Sequence, residues 1–383
     1  MKRLVVCCDG TWNKPDSEDV TNVEKIARTI QTDVAVTGIQ QLVYYVSGVG
    51  TSSYEADRLL GGAFGFGLFH NVIACYRFLS QNYDPGDEIF IIGFSRGAYT
   101  ARSLGGMLAK VGVLTKLALV QDKLPEAVHL YQGTKMPEGV IAESAEKFKQ
   151  DHCHAAPITF LGVFDTVGAL GVPGFERETP RFHNVQLSDQ VLCARQALAI
   201  DETRMKFAPT FWEAPPQADP SATVDPRVKQ VWFEGCHSDV GGGYREGETG
   251  LSDTSLLWMA QEARKQGLIF DVDLLSIYVK SGSAPYLHNP LDLLFRADNL
   301  VLTLESPLPG HHLDAFTHGL RNLTNDRALS IRIASSAVTN LRAGDYRPEN
   351  LAAFAAATND FDGIVEPVIQ LPDAGLDLTS LGT

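Results

Sequence analysis

The residues best suited to chemistry stand at the ends of three apolar runs. Ser95 lies in Ile92-Gly93-Phe94-Ser95-Arg96-Gly97-Ala98, a Gly-x-Ser-x-Gly arrangement with a hydrophobic run before it and a helical pattern after it. A serine hydroxyl is a weak nucleophile until a base takes its proton, and the base needs a group to orient it. On a tight strand-to-helix turn the hydroxyl projects from the sheet edge. Glycine two residues to either side lets the two backbones close on each other, and the helix start offers N–H groups to a developing oxyanion. Such turns take their partners downstream in the order acid, then histidine. Asp165 follows the run ending at Phe164, and His237 follows the run ending at Phe233. These three residues are the expected catalytic set: Ser95 as nucleophile, His237 as base, Asp165 as acid.

Each role has competitors. His311, His312 and His318 lie in an irregular stretch and are the alternatives for the base. His70 reads as a packing histidine on a helix, and His152 and His154 stand at the wrong end of a strand. Asp239 is the rival acid; otherwise it braces the glycine-rich loop Gly241-Gly242-Gly243 through backbone N–H groups. For the oxyanion, the N–H of Arg96 is joined by one from Cys8-Asp9-Gly10-Thr11-Trp12-Asn13, with Thr11 or Gly10 as donor. Asp9 and Asp239 are expected to support the site from behind, Asp9 by capping its own turn. The stretch Cys7-Cys8-Asp9-Gly10-Thr11 also approaches a phosphatase pattern, but cysteine stands where that nucleophilic aspartate belongs. Two other readings use the same residues: a catalytically idle interaction protein on this scaffold, and a metal-dependent phosphoesterase built from Asp9, Asp165, His237 and Asp239. The serine mechanism itself needs neither metal nor cofactor.

The elements that must hold these residues are legible. Arg3–Cys8, Gln41–Val46, Glu88–Phe94, Ile158–Phe164 and Val228–Phe233 are short runs rich in β-branched and aromatic residues, without clean alternation, as strands covered on both faces are. Helical patterns over Asn22–Thr32, Leu68–Tyr83, Ala98–Val111 and Asp253–Gln266 fall between them. Strand alternating with helix predicts an α/β fold: a mainly parallel sheet with helices on both faces. Residues 114–154, read as extra helices, and 282–325, rich in Pro, His and Asn, interrupt the rhythm and are expected to form cap segments on one domain spanning 1–383. Gly61–Phe69 is glycine-rich but lacks the lysine of a phosphate loop. Its aromatics suit an acyl-chain wall or a peripheral membrane contact, and a flexible lead-in to a packed helix explains them equally well.

Composition narrows the class. The 383 residues are 44% hydrophobic and 20% charged, enough to bury a large core. A net charge of −14 argues against a phosphate-backbone partner, so no nucleic acid is expected. No apolar run reaches 18 residues, and Leu4–Cys8 is too short for a signal peptide. Six cysteines without a CxxC pair suit neither a disulfide framework nor structural zinc, and adjacent Cys7 and Cys8 should point to opposite faces of their strand. The expectation is a cytoplasmic, reduced enzyme; signal-less export is compatible with the same composition.

Taken together, CDGTWN (8–13 after Cys7), SGVGT (47–51), GDEIFIIGFSRGAYTAR (86–102), FLGVFDTVGALG (160–171) and VWFEGCHSDVGGGY (231–244) resemble an uncharacterised α/β-hydrolase domain of bacteria and fungi. That domain also forms the core of type VI secretion phospholipase effectors. The resemblance covers roughly residues 1–270. It implies Ser95 as nucleophile, Asp165 as acid and His237 as base. A later block, Tyr346-Arg347-Pro348-Glu349-Asn350-Leu351, keeps the family's form, whereas Ile333-Ala334-Ser335-Ser336-Ala337-Val338 lacks the histidine usual there. Residues and resemblance converge on a serine esterase or lipase, phospholipase-like, acting on a small-molecule or lipid ester through an acyl-enzyme.

Overall fold

The computed structural model describes residues 1–10, 19–48, 64–133, 138–167, 186–215, 218–219, 223–245, 247–279, 286–290, 313–314, 318–369 and 378–382. Eight strands form one sheet: β1 Arg3–Cys8, β2 Gln41–Val46, β3 Glu88–Phe94, β4 Ile158–Phe164, β5 Ala194–Ala199, β6 Val228–Phe233, β7 Ile331–Ala334 and β8 Val365–Glu366. Their spatial order is β8-β7-β6-β5-β4-β3-β1-β2, and every neighbouring pair is parallel. The five apolar runs read from the sequence are strands over the residues expected. The architecture is therefore a parallel sheet wrapped by helices, of the α/β-hydrolase kind.

The chain starts in β1, steps to β2 on one side, and resumes at β3 on the other. Strand order thus reverses between β1 and β3, and such switch points are where open α/β sheets hold ligands, outside the carboxyl ends of their strands. Ser95 follows β3 at that switch point. Helices α1 (Asn22–Thr29), α2 (Phe64–Asn82), α3 (Ser95–Val111), α4 (Glu138–His152), α5 (His237–Gly241), α6 (Gly250–Lys265), α7 (Val272–Tyr278), α8 (Ser335–Ala343) and α9 (Glu349–Ala357) surround the sheet.

Burial on both faces explains the unalternating strands. On one face Leu4, Val6, Cys8, Ile89, Ile91 and Leu161 pack against α2 and α3 through Val72, Tyr76, Leu79, Leu104 and Leu108. On the other, Val5, Cys7, Phe90, Ile92, Phe160 and Phe233 meet α1 and α6 through Ile26, Leu256, Leu257 and Met259. Cys7 and Cys8 do face opposite ways, and all six cysteines are free. Among the described residues no helix is long and apolar enough to cross a membrane.

Two findings differ from the sequence reading. Ala194-Arg195-Gln196-Ala197-Leu198-Ala199 is a central strand although its residue types favour helix; pairing with β4 and β6 buries all six residues, and tertiary context outweighs propensity. Segment 114–154 forms helices that pack along α3, and its ladder Val113–Leu114 with Cys153–His154 lies beside Tyr83, at the rim opposite Ser95. Of the second insertion, 282–325, only 286–290, 313–314 and 318–325 belong to the described residues; residues 61–63 of the glycine-rich stretch, Thr11, His311 and His312 also lie outside them.

Backbone packs closely on backbone at the β3–α3 turn. A Cβ on Gly97 would stand 2.2 Å from the Cys8 carbonyl oxygen and 2.3 Å from that of Asp9. Both obstacles are backbone, so they cannot rotate away. Gly97→Ala is expected to destabilise the protein by about 3 kcal/mol or more, read as a lowered thermal midpoint. Gly139→Ala, where nothing lies within 4 Å, should leave it unchanged or slightly raised. Equal midpoints for both variants would contradict the close approach.

Candidate active site

Ser95 sits directly after β3 with φ +56°, a left-handed conformation that costs energy in any residue bearing a Cβ. Phe94 is still extended, and α3 begins at Ser95 itself. Gly93 is needed as well as Gly97: its Cβ would lie 2.7 Å from both Ala98 Cα and the Gly97 carbonyl oxygen. The sharp turn is thus made possible by absent side chains on either side of one serine, which is 6% exposed. The N–H of Arg96 lies in the first turn of α3, without an earlier carbonyl in the helix to receive it. The Arg96 side chain is half-buried, and burial pushes its pKa down to about 10, leaving it cationic at neutral pH.

Asp165 and His237 meet. Asp165 follows β4 with φ +37°, and its N–H donates to Ala197 O at 2.7 Å. His237 opens α5, just beyond β6. Its Nδ1 lies 2.5 Å from Asp165 Oδ2. The ring is held by Phe94, the residue before Ser95, at 4.7 Å between centroids, and edge-on by Phe207 at 5.0 Å. An ionised carboxylate can only accept, so Nδ1 carries the proton and Nε2 keeps its lone pair. Nε2 is buried and has no hydrogen-bond partner among the described residues. The imidazole is therefore oriented on one side and available on the other.

Three charged residues that the sequence reading did not single out complete the surroundings. Arg321 donates from Nη1 to Asp165 Oδ1 at 2.6 Å and from Nη2 to Oδ2 at 2.9 Å. Ala199 N–H adds a bond to Oδ1 at 3.1 Å. Behind the ring, Glu202 accepts the His237 N–H at 3.2 Å and two side-chain bonds from Arg204, each 2.8 Å. Arg321 falls in a segment with no periodic pattern, and Glu202 and Arg204 follow the strand that was missed, so no local signal marked them. Burial alone would raise the Asp165 carboxyl, but the Arg321 charge and the His237 bond outweigh it and hold it well below the usual range. Burial pushes the His237 imidazole below its ordinary value, with Asp165 opposing the shift.

The supporting aspartates are engaged elsewhere. Asp9 is tied to its surroundings: Oδ1 accepts Gly10 N–H at 2.6 Å, and Oδ2 accepts Thr21 Oγ1 at 2.7 Å and Tyr45 OH at 2.6 Å. Gly10 N–H is thereby occupied. Asp239 receives Cys236 N–H at 2.9 Å, the N–H of His288 at 3.2 Å and the His288 ring at 2.6 Å from Nδ1. It caps the start of α5 and docks residues 286–290, where the expected brace was on N–H groups of the glycine run, and Asp165, not Asp239, holds His237. The metal-phosphoesterase set does not assemble: Asp9 and Asp239 spend their oxygens in separate networks, and among the described residues no three His, Cys, Asp or Glu side chains are placed to hold a metal ion. His318 lies in a two-residue ladder with Asp314.

Comparison with known proteins adds a family. The description "T6SS, Phospholipase effector Tle1-like, catalytic domain" matches residues 2–262. An uncharacterised protein of Saccharomyces cerevisiae is 29% identical over 226 residues, which are 54% of this chain and 32% of the yeast protein, so the match spans about a third of that relative. Among solved structures, the Tle1 effector bound to the VgrG spike of the type VI secretion system aligns over 65% of this chain and 52% of its own, with 18% identity and a TM-score of 0.36. An uncharacterised protein from Pseudomonas aeruginosa aligns over 94% of this chain and 62% of its own, with 16% identity and a TM-score of 0.41.

The ionisation of His237 predicts how stability follows pH. Its folded pKa lies below 6.5, so below that pH the unfolded chain binds the proton more readily and stability falls as pH drops. Urea unfolding between pH 7 and 5 should show this loss, and His237→Gln should flatten it. Parallel curves for wild type and variant would contradict a buried neutral imidazole.

Proposed function

We propose, for a chain that belongs to the Tle1-like catalytic-domain family of type VI secretion phospholipase effectors, that it hydrolyses carboxylic esters, with phospholipids as the substrate class, through Ser95, His237 and Asp165. The observation that carries the reading is the His237–Asp165 bond, which leaves a buried Nε2, without a partner among the described residues, on a ring packed against the residue preceding Ser95. In this reaction His237 Nε2 takes the Ser95 Oγ proton as Oγ adds to the ester carbonyl. The new oxyanion accepts from Arg96 N–H, with Thr11 N–H as its second donor; one such donor contributes roughly 3 kcal/mol to lowering the barrier. Collapse of the tetrahedral intermediate breaks the ester C–O bond, and the imidazolium returns its proton to the departing alkoxide. Water, deprotonated by the same imidazole, then cleaves the acyl-enzyme and regenerates Ser95. Asp165 holds the tautomer and stays ionised throughout. The absent Ser95–His237 hydrogen bond fits this chemistry, since such bonds commonly tighten only once substrate is bound.

Family membership favours a phospholipid over a soluble ester. The half-buried cationic Arg96 beside the nucleophile suits a substrate that carries a phosphate.

Wild type should be labelled by a fluorophosphonate and should turn over p-nitrophenyl esters and phosphatidylglycerol vesicles. Ser95→Ala should lose the label and at least about 10⁴-fold in kcat; Asp165→Asn should lose about 10⁴-fold in kcat and be labelled correspondingly more slowly. Equal labelling of wild type and Ser95→Ala would sink the assignment. Because the His237 imidazole is held below 6.5, the acidic limb of kcat/KM should have its midpoint below that value; a midpoint above it would place the base elsewhere.

A further inference from the structure

A buried carboxylate beside a catalytic imidazole orients the ring and stabilises the imidazolium when it forms. Here the carboxylate also has a cationic partner. Both oxygens of Asp165 are gripped by one guanidinium, 2.6 and 2.9 Å away, in the two-pronged geometry that arginine makes with carboxylates. The guanidinium is itself located: Nη1 donates to Ala199 O at 2.8 Å and Nη2 to Phe207 O at 2.5 Å. The Arg321 main chain is fixed as well, its carbonyl accepting from Asn350 Nδ2 at 3.2 Å while the same amide bonds Ile200 O at 2.9 Å. Arg321 and Asp165 are 2% and 0% exposed, so neither charge is screened by water.

From this geometry, and resting on the hydrolase reading above, we infer that Arg321 is a positioning residue for the reaction. It fixes the plane of the Asp165 carboxylate toward His237 and balances its charge, so that the imidazole remains an uncharged base.

The groups facing His237 from every side support a charge balance. Asp165 at the end of β4 is matched by Arg321. Glu202 beyond β5 is matched by Arg204, which also lies over the Phe207 ring at 3.7 Å. Asp201 accepts Gly235 N–H and the Tyr346 hydroxyl. On the histidine's own segment, Cys236 contacts the Tyr244 hydroxyl and Asp239 is bound by Cys236 N–H and His288. Two arginines therefore answer the two carboxylates that touch His237. Removing one of them leaves an uncompensated negative charge 2.5 Å from Nδ1, which draws a proton onto the ring.

The test reads the ring directly. The Cε1–H resonance of His237, assigned by its loss in His237→Gln, is titrated by NMR in wild type, Arg321→Gln and Arg321→Lys. In folded Arg321→Gln the midpoint should rise by about one pH unit or more, and the acidic limb of kcat/KM for a p-nitrophenyl ester should move with it. Arg321→Lys keeps the charge but loses the fork. Its midpoint should stay within about half a unit of wild type, while plateau kcat falls about tenfold or more with KM little changed. An unmoved midpoint in Arg321→Gln, with only a lower thermal midpoint, would reduce Arg321 to a structural ion pair and overturn the inference. If Arg321→Gln does not fold, Arg321→Lys decides it alone: wild-type kcat overturns the assignment, and the tenfold loss upholds it. A moved NMR midpoint in a protein whose Ser95 takes no fluorophosphonate upholds the Arg321 assignment and overturns the hydrolase reading instead.

Discussion

A carboxylate with no exposure to water is the constraint around which this molecule is arranged. An ionised Asp165 in the interior would be prohibitively costly without partners. It collects them from three other stretches of chain: Ala199 at the end of β5, His237 after β6, and Arg321 near the end of the second insertion. Each of these must arrive with its donor aimed at one of two oxygens. Removing a single partner of such a pair typically costs about 3–5 kcal/mol, so the strand-end loops are locked to one another by electrostatics as much as by packing. The parallel sheet makes this feasible because it brings the carboxyl ends of β4, β5 and β6 to one rim in consecutive order.

The serine is set by a different force, steric exclusion. Cys8 and Asp9 come so close to α3 that only glycine fits at 97, and the helix must therefore begin at Ser95 with a positive φ. The β1 loop that crowds Gly97 is held in turn by Asp9, which bonds Thr21 and Tyr45. Thr21 bridges to Gly242 in the loop after α5, and the Asn22 side chain reaches Val240 O. One brace thus runs from the elbow through the first loop to the segment that carries His237. Asp9 supports the β3–α3 turn without facing Ser95, which is how a buried acid next to that serine can be structural.

What was legible in the sequence follows from the range of the forces involved. The five strands that read correctly are bounded runs of β-branched and aromatic residues, a local signal. Ser95 and Asp165 could be singled out because each directly follows such a run, and His237 because it stands four residues beyond one. Ala194–Ala199 was not found, because its strand character comes from neighbours on both sides and not from its own residue types. Arg321 was hidden for a related reason. Its partner lies 156 positions away, and an arginine in an aperiodic segment looks like any solvated cation until the chain has folded. The Tyr346–Leu351 block was visible as a pattern, but its work was not: Tyr346 holds Asp201, and Asn350 holds the main chain of Arg321.

Asp165 and Asp239 show why residue type alone did not separate acid from brace. Both stand within a few residues of a strand end, and both bind a histidine through Nδ1, at 2.5 and 2.6 Å. The difference lies in the backbone. Asp239 is in the first turn of α5, so its carboxylate folds back onto Cys236 N–H, two residues from His237 along the same helix, and is turned away from the His237 ring. Asp165 comes from another strand and approaches the ring from outside the helix. A carboxylate that caps the histidine's own helix is committed to that helix's free N–H groups. Only one carried in by another strand can meet the imidazole side-on, and β4, two places from β6 in the sheet, supplies it.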